Sequence, residues 1–253
     1  METLRIERSG ALAVLRMDKA RANAIDGAFI QDLLEACRLL EADPGIRGVL
    51  LASAHPKLFC PGLDLVSLVE LERAAMERFM QAFSDAMLAL YALPKPVVAA
   101  VSGHAIAGGC ILALTADLRL LKRGAQIGLN EVKVGVPLPW SVATLLRSQV
   151  PASAVTGVAL LGRNFSDEAA LHAGLAHAVL EAEGFEAACL KQLEEFLDKD
   201  ARSLSLTKRY LRQIALHEMR ARDRESMGEW LDAWFSDETR GRIRAIVAGL
   251  GKK

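Results

Sequence analysis

Short apolar runs alternate with longer stretches of helical periodicity over the first three quarters of the chain. Residues 4–7 and 11–17 flank Ser9 and Gly10, which predicts a hairpin. Four further runs have the length and apolar character of buried strands, at residues 49–52, 97–101, 117–121 and 175–180. The first part of the chain is therefore predicted to contain a buried sheet.

Helical periodicity fills the segments between these runs and the whole C-terminal part. Asp26 is the predicted N-cap of a helix that ends near Asp43, and residues 66–92 continue as helix until Pro94. From about residue 183 to 249 the apolar positions follow helical spacing without any strand pattern. Strand–turn–helix units recur at roughly 45 to 50 residues, which predicts an α/β spiral of similar turns followed by a helical tail.

Composition and charge narrow the class of protein. Of the 253 residues, 52% are hydrophobic and 25% are charged, which is typical of a well-packed globular chain. Lysine and arginine number 31, as do aspartate and glutamate, so no overall field favours nucleic acid or an anionic membrane. The N-terminus has no apolar signal segment, and no run reaches the roughly 18 apolar residues of a membrane span. We predict a cytoplasmic protein without nucleic-acid or membrane partners.

The cysteines and histidines do not form a disulfide or metal framework. None of the four cysteines belongs to a Cys-x-x-Cys pair, and the histidines lack the spacing of metal ligands. The sequence therefore predicts reduced cysteines and no metal site.

Two turns that contain glycine carry the candidate chemistry. Segment 59–65 reads Phe-Cys-Pro-Gly-Leu-Asp-Leu and segment 103–110 reads Gly-His-Ala-Ile-Ala-Gly-Gly-Cys. Each follows a strand-like run, and glycine lets the backbone turn sharply while a ligand approaches bare N–H groups. If the turns converge, they supply two donors for an oxygen that becomes negative during reaction, which is an oxyanion hole.

The spacing of the glycines excludes three other motifs. Gly103, Gly108 and Gly109 do not fit the dinucleotide fingerprint, and the chain has neither a phosphate-binding Gly-x-x-x-x-Gly-Lys loop nor a Gly-x-Ser-x-Gly elbow. On the residues alone, a pair of tight connecting loops remains an equal alternative to an oxyanion hole.

Taken together, the two turns resemble those of the crotonase superfamily, the enoyl-CoA hydratases and isomerases. Segment 59–64 is similar to that family's Phe-Cys-Ala-Gly-x-Asp turn, and segment 103–109 is similar to its Gly-x-Ala-x-Gly-Gly-Gly turn. Residues 21–24, Arg-Ala-Asn-Ala, resemble the turn on which the family lays coenzyme A. The agreement in element order runs from residue 1 to about residue 180.

The resemblance implies a crotonase-like spiral of strand–strand–helix turns with an all-helical C-terminal extension. Residues 1–195 would be an acyl-CoA-binding core and residues 196–253 a helical oligomerisation region, in a homotrimer or a dimer of trimers. The substrate would be an acyl-CoA, so coenzyme A would enter as part of the thioester and no separate cofactor is expected.

By the same resemblance, the backbone N–H groups of Leu63 and Gly108 would hold the thioester oxygen of an enolate. Two residues depart from the family's motifs. Pro61 replaces alanine and has no N–H, yet the inferred donor is Leu63, so the hole is expected to survive. Ala107 replaces the first of three glycines, which is harmful only if that position needs a positive φ.

The acid–base residues separate two activities. Hydratases of this family use two glutamates to activate a water, and Ile111 stands where the first would fall. Glu131 stands at the second, in a Gly-Leu-Asn-Glu segment similar to that of the Δ3,Δ2-enoyl-CoA isomerases, which work with one glutamate. One carboxylate can carry a proton from C2 to C4 on one face of the substrate, and apolar neighbours are expected to raise its pKa. The sequence favours an isomerase.

Several other positions are predicted to contact the acyl-CoA. Arg21 and Lys57 are candidates for the phosphates, and Ala22 and Ala24 share the turn of Arg21. Asp64 is placed at the site chiefly as the cap of the next helix. Apolar candidates for the acyl pocket are Leu68, Met76, Phe79, Ile111, Leu138 and Trp140.

Two alternatives stand beside the isomerase. A hydratase, or another enolate-forming lyase or hydrolase, would recruit its base from elsewhere. A non-catalytic acyl-CoA-binding homologue is suggested by the departures at Pro61, Ala107 and Ile111.

Overall fold

A computed structural model describes residues 1–20 and 22–250, and it begins with the predicted hairpin. Strands β1 (Leu4–Ser9) and β2 (Leu12–Met17) pair antiparallel. Gly10 joins them at a φ of +59°, a left-handed conformation that glycine adopts without the penalty a Cβ would bring. The predicted hairpin and its turn at Ser9 and Gly10 are therefore confirmed.

The strands that follow come in pairs, with one member in each of two sheets. The pairs are β3 (Gly48–Ser53) with β4 (Leu58–Cys60), β5 (Val97–Val101) with β6 (His104–Ile106), and β7 (Leu118–Lys122) with β8 (Gln126–Gly128). The larger sheet has the order β1-β2-β3-β5-β7-β10, where β10 is Ala178–Leu180, and is parallel from β2 onward. The smaller sheet is β4-β6-β8, with β9 (Phe165–Ser166) antiparallel at its edge.

Helices return the chain between the strand pairs. They are α1 (Gly27–Ala42), α2 (Leu65–Leu68), α3 (Arg73–Ala92) and α4 (Gly108–Leu114). Asp26 caps α1 as predicted, because its carboxylate accepts a hydrogen bond from Phe29 N at 3.0 Å. Successive strand–strand–helix turns thus build the predicted α/β spiral.

The rest of the described chain is mainly helical. It contains α5 (Glu131–Val134), α6 (Trp140–Gln149), α7 (Ala152–Val155) with a π-helical turn (Thr156–Leu160), α8 (Asp167–His172), α9 (Phe185–Glu194), α10 (Ala201–Trp234) and α11 (Asp237–Leu250). Between residues 181 and 250 the structure has helices without strands, as predicted. No helix in the described ranges is both long and apolar enough to cross a membrane.

Two sequence predictions differ from the structure in detail, and one part of the fold was not predicted. The predicted helix at 66–92 is two helices, because the chain leaves helical conformation between Leu68 and Arg73. The strand predicted at 175–180 is confined to β10, since the residues before it form a turn. The smaller sheet was not predicted, because strands of two or three residues are too short to show a period.

The larger sheet is buried on both faces. Every residue of β3 and β5 is buried, which explains their continuous apolar runs. One face packs against α1, α3 and α4 in the main core, and the other packs against α9 through Phe185, Cys189 and Leu193. The larger sheet is therefore a rigid support for the short strands β4 and β6, which follow β3 and β5 directly and lead into the two glycine turns.

A buried group of charges anchors α10 to the sheet. Lys208 Nζ and Arg212 Nη2 each lie 2.7 Å from an oxygen of Asp117, the residue before β7. Arg212 also donates to the carbonyls of Tyr91 and Thr115 at the C-terminal ends of α3 and α4, where a positive charge is favourable. Burial lowers the pKa of Lys208 to about 8. These contacts hold the beginning of α10, whose far end reaches the candidate site.

Candidate active site

The two glycine turns lie against each other because the strands before them pair. Strand β4 pairs in parallel with β6. A Cβ on Gly109 would overlap the Cys60 carbonyl oxygen, and a Cβ on Gly62 would lie 3.0 Å from Gly108 N. Gly62 also has a φ of +102°, so the turns need glycine for conformation and for space.

The amide of Leu63 is left outside the hydrogen bonds of its neighbours. Ile25 N donates to Gly62 O at 2.8 Å, and Asp64 N donates to Ile25 O at 2.8 Å. Because successive amides of an extended chain point to opposite sides, the Leu63 N–H faces away from Ile25. Within the described residues, neither the Leu63 amide nor the Gly108 amide donates to a protein acceptor, and both residues line one cavity.

Ala107 adopts a strained backbone conformation just before this second amide. Its φ is +51° and its ψ is −119°, a region that glycine occupies far more easily than alanine. Its N–H donates to Gly128 O at 2.9 Å and its carbonyl accepts from Ile111 N at 3.0 Å, which holds the conformation. This position therefore does require a positive φ, the condition under which the alanine was expected to be costly.

The cavity between the turns has a volume of about 220 Å³ and a largely apolar wall. Its apolar side chains include Met80 and Phe83 of α3, Ile111 of α4, and Trp230, Trp234 and Ile246 of the C-terminal helices. Asn130 and Glu131 add polar groups at one wall. Glu131 is the one carboxylate among the described lining residues, so a ligand in this cavity would meet a single acidic side chain.

Glu131 is the first residue of α5 and combines burial with an unpaired oxygen. The residue as a whole is half-buried, but its Oε2 is covered and has no hydrogen-bond partner in the described part of the chain. Removal of water from the carboxylate raises its pKa from 4.5 to about 7. A carboxyl group that titrates near neutral pH can both accept and return a proton.

Of the described residues predicted to contact coenzyme A, Ala22 and Ala24 belong to the segment between β2 and α1, and Lys57 precedes β4. Ala22 has a φ of +56°, and Ala24 is buried next to Asn23. Asn23 was not singled out in the sequence, yet its Nδ2 donates to Ser53 Oγ at 2.9 Å and to Phe59 O at 3.0 Å, which fixes the turn beside β4. Lys57 is exposed just before β4. The prediction for Arg21 lies outside the described residues.

The prediction that Asp64 caps the helix after the first glycine turn is wrong. It occupies the N-cap position of α2, but its side chain makes no capping hydrogen bond. Instead its buried carboxylate lies 3.9 Å from Lys19 Nζ, which is also paired with Asp26 at 3.1 Å. The side chain therefore has an electrostatic partner in the N-terminal segment and does not act as a cap.

The structure places one of the six predicted acyl-pocket residues in the wall of the cavity. Ile111 lines the cavity, whereas Leu68, Met76, Phe79, Leu138 and Trp140 do not belong to its wall. Helix α3 presents Met80 and Phe83 there, one turn beyond the predicted pair, while Met76 and Phe79 are buried in the core. Trp140 is 39% exposed, and its Nε1 donates to Glu218 at 3.3 Å. Substrate contacts by Leu138 and Trp140 stay a prediction.

The C-terminal helices contribute residues that the sequence did not suggest. Trp230 and Trp234, one helical turn apart on α10, stack with ring centroids 5.3 Å apart. Their spacing of four residues places both side chains on one face of the helix, which is the signal in the sequence that could have indicated a buried face. The sequence analysis instead predicted that this region takes part in oligomerisation. Both tryptophans are buried against the core of the same chain and line the cavity. The oligomerisation role of residues 196–253 stays a prediction.

The other cysteine, histidine and acidic side chains of the described ranges do not form a second candidate site. No three side chains of histidine, cysteine, aspartate or glutamate converge there as metal ligands. Cys60 and Cys110 flank the turns, and burial raises the pKa of both thiols, that of Cys60 to about 12. At this cavity, the described residues offer free backbone amides and one carboxyl group, that of Glu131.

This architecture is that of the crotonase fold, and comparison with known proteins defines the family. The chain shares its fold with human mitochondrial Δ3,Δ2-enoyl-CoA isomerase, with a TM-score of 0.95, coverage of 99% of both chains and 24% sequence identity. The enoyl-CoA hydratase/isomerase family model matches residues 7–240. The chain therefore belongs to the enoyl-CoA hydratase/isomerase family.

Named relatives include both kinds of enzyme. Human mitochondrial enoyl-CoA delta isomerase 1 is 28% identical over 209 residues, which cover 82% of this chain and 69% of that protein. A Thermus thermophilus protein classed as an enoyl-CoA hydratase is 34% identical over 239 residues, covering 92% of each. Membership alone therefore does not decide between isomerase and hydratase activity.

We predict that Ala107→Gly stabilises the fold. Relief of the positive-φ strain outweighs the added flexibility of glycine in the unfolded chain, so the free energy of unfolding should rise by about 1 kcal/mol. Urea denaturation measures this change. Ala105→Gly in the adjacent buried strand is the control and should lower stability, and a loss of stability in both variants would contradict the strain.

We also predict a pH-dependent stability difference between Glu131→Gln and the wild type. Because the folded-state pKa of about 7 exceeds the ordinary 4.5, the folded wild type binds more protons than the unfolded chain between these values. The contribution of Glu131 to the free energy of unfolding of the wild type is fully present at low pH and is lost as the pH rises through about 7. The variant should gain up to about 3 kcal/mol relative to wild type between pH 5 and 8. A pH-independent difference in urea unfolding would refute the raised pKa.

Proposed function

We propose that this protein is an enoyl-CoA isomerase that moves a double bond from C3–C4 to C2–C3 of an acyl-CoA. Glu131 carries the proton, and coenzyme A is part of the substrate without a separate cofactor. The observation that carries the proposal is one carboxylate, with its pKa raised to about 7, in an apolar cavity that also borders both glycine turns.

The first step is removal of a proton from C2. The C2–H bond breaks, the proton passes to the ionised Glu131, and the electron pair forms the C1=C2 bond of an enolate with negative charge on the thioester oxygen. The N–H groups of Leu63 and Gly108 donate to that oxygen. Each donor of this kind lowers the barrier by about 3 to 4 kcal/mol.

The second step returns the same proton to C4. The C1=C2 electron pair becomes the C2=C3 bond, and the former C3=C4 pair takes the proton, so the thioester carbonyl is restored and Glu131 is again ionised. A pKa close to the working pH suits both transfers, because the group must gain and lose a proton in each cycle.

Ile111 is the reason for favouring isomerisation over hydration. Hydration needs a water that is held and split, and an isoleucine side chain can do neither. The relative classed as a hydratase supports hydration, or another enolate-forming reaction, as the second candidate. Acyl-CoA binding without catalysis is the third candidate, motivated by Pro61, Ala107 and Ile111.

Binding of coenzyme A and assembly belong to the same proposal. Arg21 and Lys57 would meet the phosphates beside the turn that contains Ala22 and Ala24, and Asp64 would help to hold that turn through Lys19. We propose a homotrimer or dimer of trimers, with α10 and α11 between subunits.

Glu131→Gln should lower kcat for a 3-enoyl-CoA by about 10²- to 10⁴-fold, because glutamine keeps the shape of the side chain but cannot carry a proton. Acyl-CoA affinity should change little. Wild-type kcat/KM should rise with pH through about 7 as the carboxyl ionises. Spectroscopic detection of the conjugated product measures kcat and kcat/KM, and calorimetric titration measures the acyl-CoA affinity.

Glu225→Gln is a suitable control, since Glu225 is exposed on α10 and pairs with Arg222. It should retain wild-type turnover. Undiminished isomerisation in Glu131→Gln would remove Glu131 from the mechanism. Water addition to a 2-enoyl-CoA that exceeds isomerisation would favour the hydratase instead.

A further inference from the structure

Among the described residues, no other side chain donates a hydrogen bond to the carboxyl group of Glu131. Its Oε2 is unpaired, and the hydrogen bond that opposes the rise in its pKa comes from the Glu131 backbone itself. A side chain without polar contacts to its neighbours follows the movements of its own backbone. The position of this carboxyl group in the cavity therefore depends on what fixes helix α5.

Helix α5 cannot fix itself. It is a single turn of four residues, which is too short to be stable alone. The carbonyl of Glu131, at its beginning, accepts hydrogen bonds from the amides of Gly135 and Val136. The carbonyls of Lys133 and Gly135 lie at its C-terminal end, where a helix has no further amides to offer them. Their hydrogen-bond partners have to come from elsewhere in the fold.

Helix α11 supplies both partners. Thr239 Oγ1 donates to Gly135 O at 3.0 Å, and Arg242 Nη1 donates to Lys133 O at 3.2 Å. The first contact is close, since a Cβ on Gly135 would lie 2.8 Å from Thr239 Oγ1. Thr239 is buried whereas Arg242 is exposed, so water has little access to replace the threonine hydroxyl. The hydroxyl of Thr239 is therefore the stronger of the two anchors.

The face of α11 that carries Thr239 is itself fixed to the protein. Ile243 is buried in the main core and Ile246 lines the cavity, four and seven residues after Thr239. This spacing places the three side chains on one face of the helix. One helix face therefore holds the end of α5 and also forms part of the cavity wall.

We propose that Thr239 is a positioning residue, whose hydroxyl fixes the C-terminal end of α5 and so holds the Glu131 carboxyl group within reach of C2 of the acyl group. The proposal rests on the proposed function, and it adds a residue of α11 that acts through Glu131. Thr239 does not line the cavity, so its hydroxyl should affect proton transfer and not the binding of acyl-CoA. Misplacement of a reacting group by about 1 Å is enough to slow a reaction strongly.

The test compares Thr239→Val with Thr239→Ser. Valine keeps the shape of threonine but leaves the Gly135 carbonyl without its donor, whereas serine keeps the hydroxyl. In Thr239→Val, the rate of C2 deuterium exchange into hexanoyl-CoA and the kcat for a 3-enoyl-CoA should both fall about tenfold. The calorimetric affinity for hexanoyl-CoA should not change. Thr239→Ser should restore most of both rates.

Ser236→Ala is the matched control for a loss of stability in α11. Ser236 Oγ accepts a hydrogen bond from Thr239 N at 3.3 Å, so alanine removes a cap of α11 and leaves the bond to α5 in place. Both Ser236→Ala and Thr239→Val should be less stable than the wild type in urea denaturation. The control should nevertheless exchange deuterium at the wild-type rate.

Arg242→Met decides the question if Thr239→Val does not fold, because Arg242 is exposed and its loss is easily tolerated. It removes the second bond to α5 and should slow exchange about threefold, the effect of one weak hydrogen bond; an unchanged rate would then overturn the proposal.

Wild-type exchange in folded Thr239→Val, or an equal loss in Ser236→Ala, would also overturn the positioning role. These results would leave the isomerase proposal intact as long as Glu131→Gln abolishes exchange. Exchange at the wild-type rate in Glu131→Gln would reject both proposals.

Discussion

The structure depends on the contact between two backbone turns that leave no space for a side chain between them. Gly109 packs onto the Cys60 carbonyl, and Gly62 packs onto the Gly108 amide. Parallel pairing of β4 with β6 brings these turns together, and each turn of the spiral supplies one of these strands. The candidate oxyanion site is therefore a consequence of how the spiral is wound, since its donors are main-chain groups.

A backbone site of this kind separates the two demands that catalysis makes. The amides stabilise charge on an oxygen, and the side chains around them are free to vary the reaction. Ile111 and Glu131 illustrate this division, because both line the same cavity and only one can carry a proton. The apolar wall that would receive an acyl chain under the proposed function also removes water from Glu131 and raises its pKa, so binding and acid–base chemistry would share one physical cause.

Part of the fold and part of the candidate site could be predicted, because short segments of the sequence determine them. The strand Val97–Val101 was predicted with its observed bounds, because a fully buried parallel strand is a continuous apolar run. The glycines of the two motifs indicated the turns, and the Gly-Leu-Asn-Glu segment indicated Glu131 as the candidate acid–base residue. Strands of two or three residues carry no period, so the smaller sheet was missed. The rotation of α3 about its axis, which brings Met80 and Phe83 to the cavity, depends on packing between distant segments. For the same reason, the position of Trp230 and Trp234 in the cavity wall could not be predicted from the sequence.

The most direct test of the central claim is deuterium exchange at C2 of hexanoyl-CoA in D₂O, followed by mass spectrometry. A saturated acyl group cannot isomerise, so exchange reports only formation of the enolate by the paired amides and the acidic side chain. We predict that the wild-type protein incorporates deuterium at C2 and that Glu131→Gln reduces the rate to that of buffer. Absence of exchange in the wild type, or equal exchange in both proteins, would contradict the account.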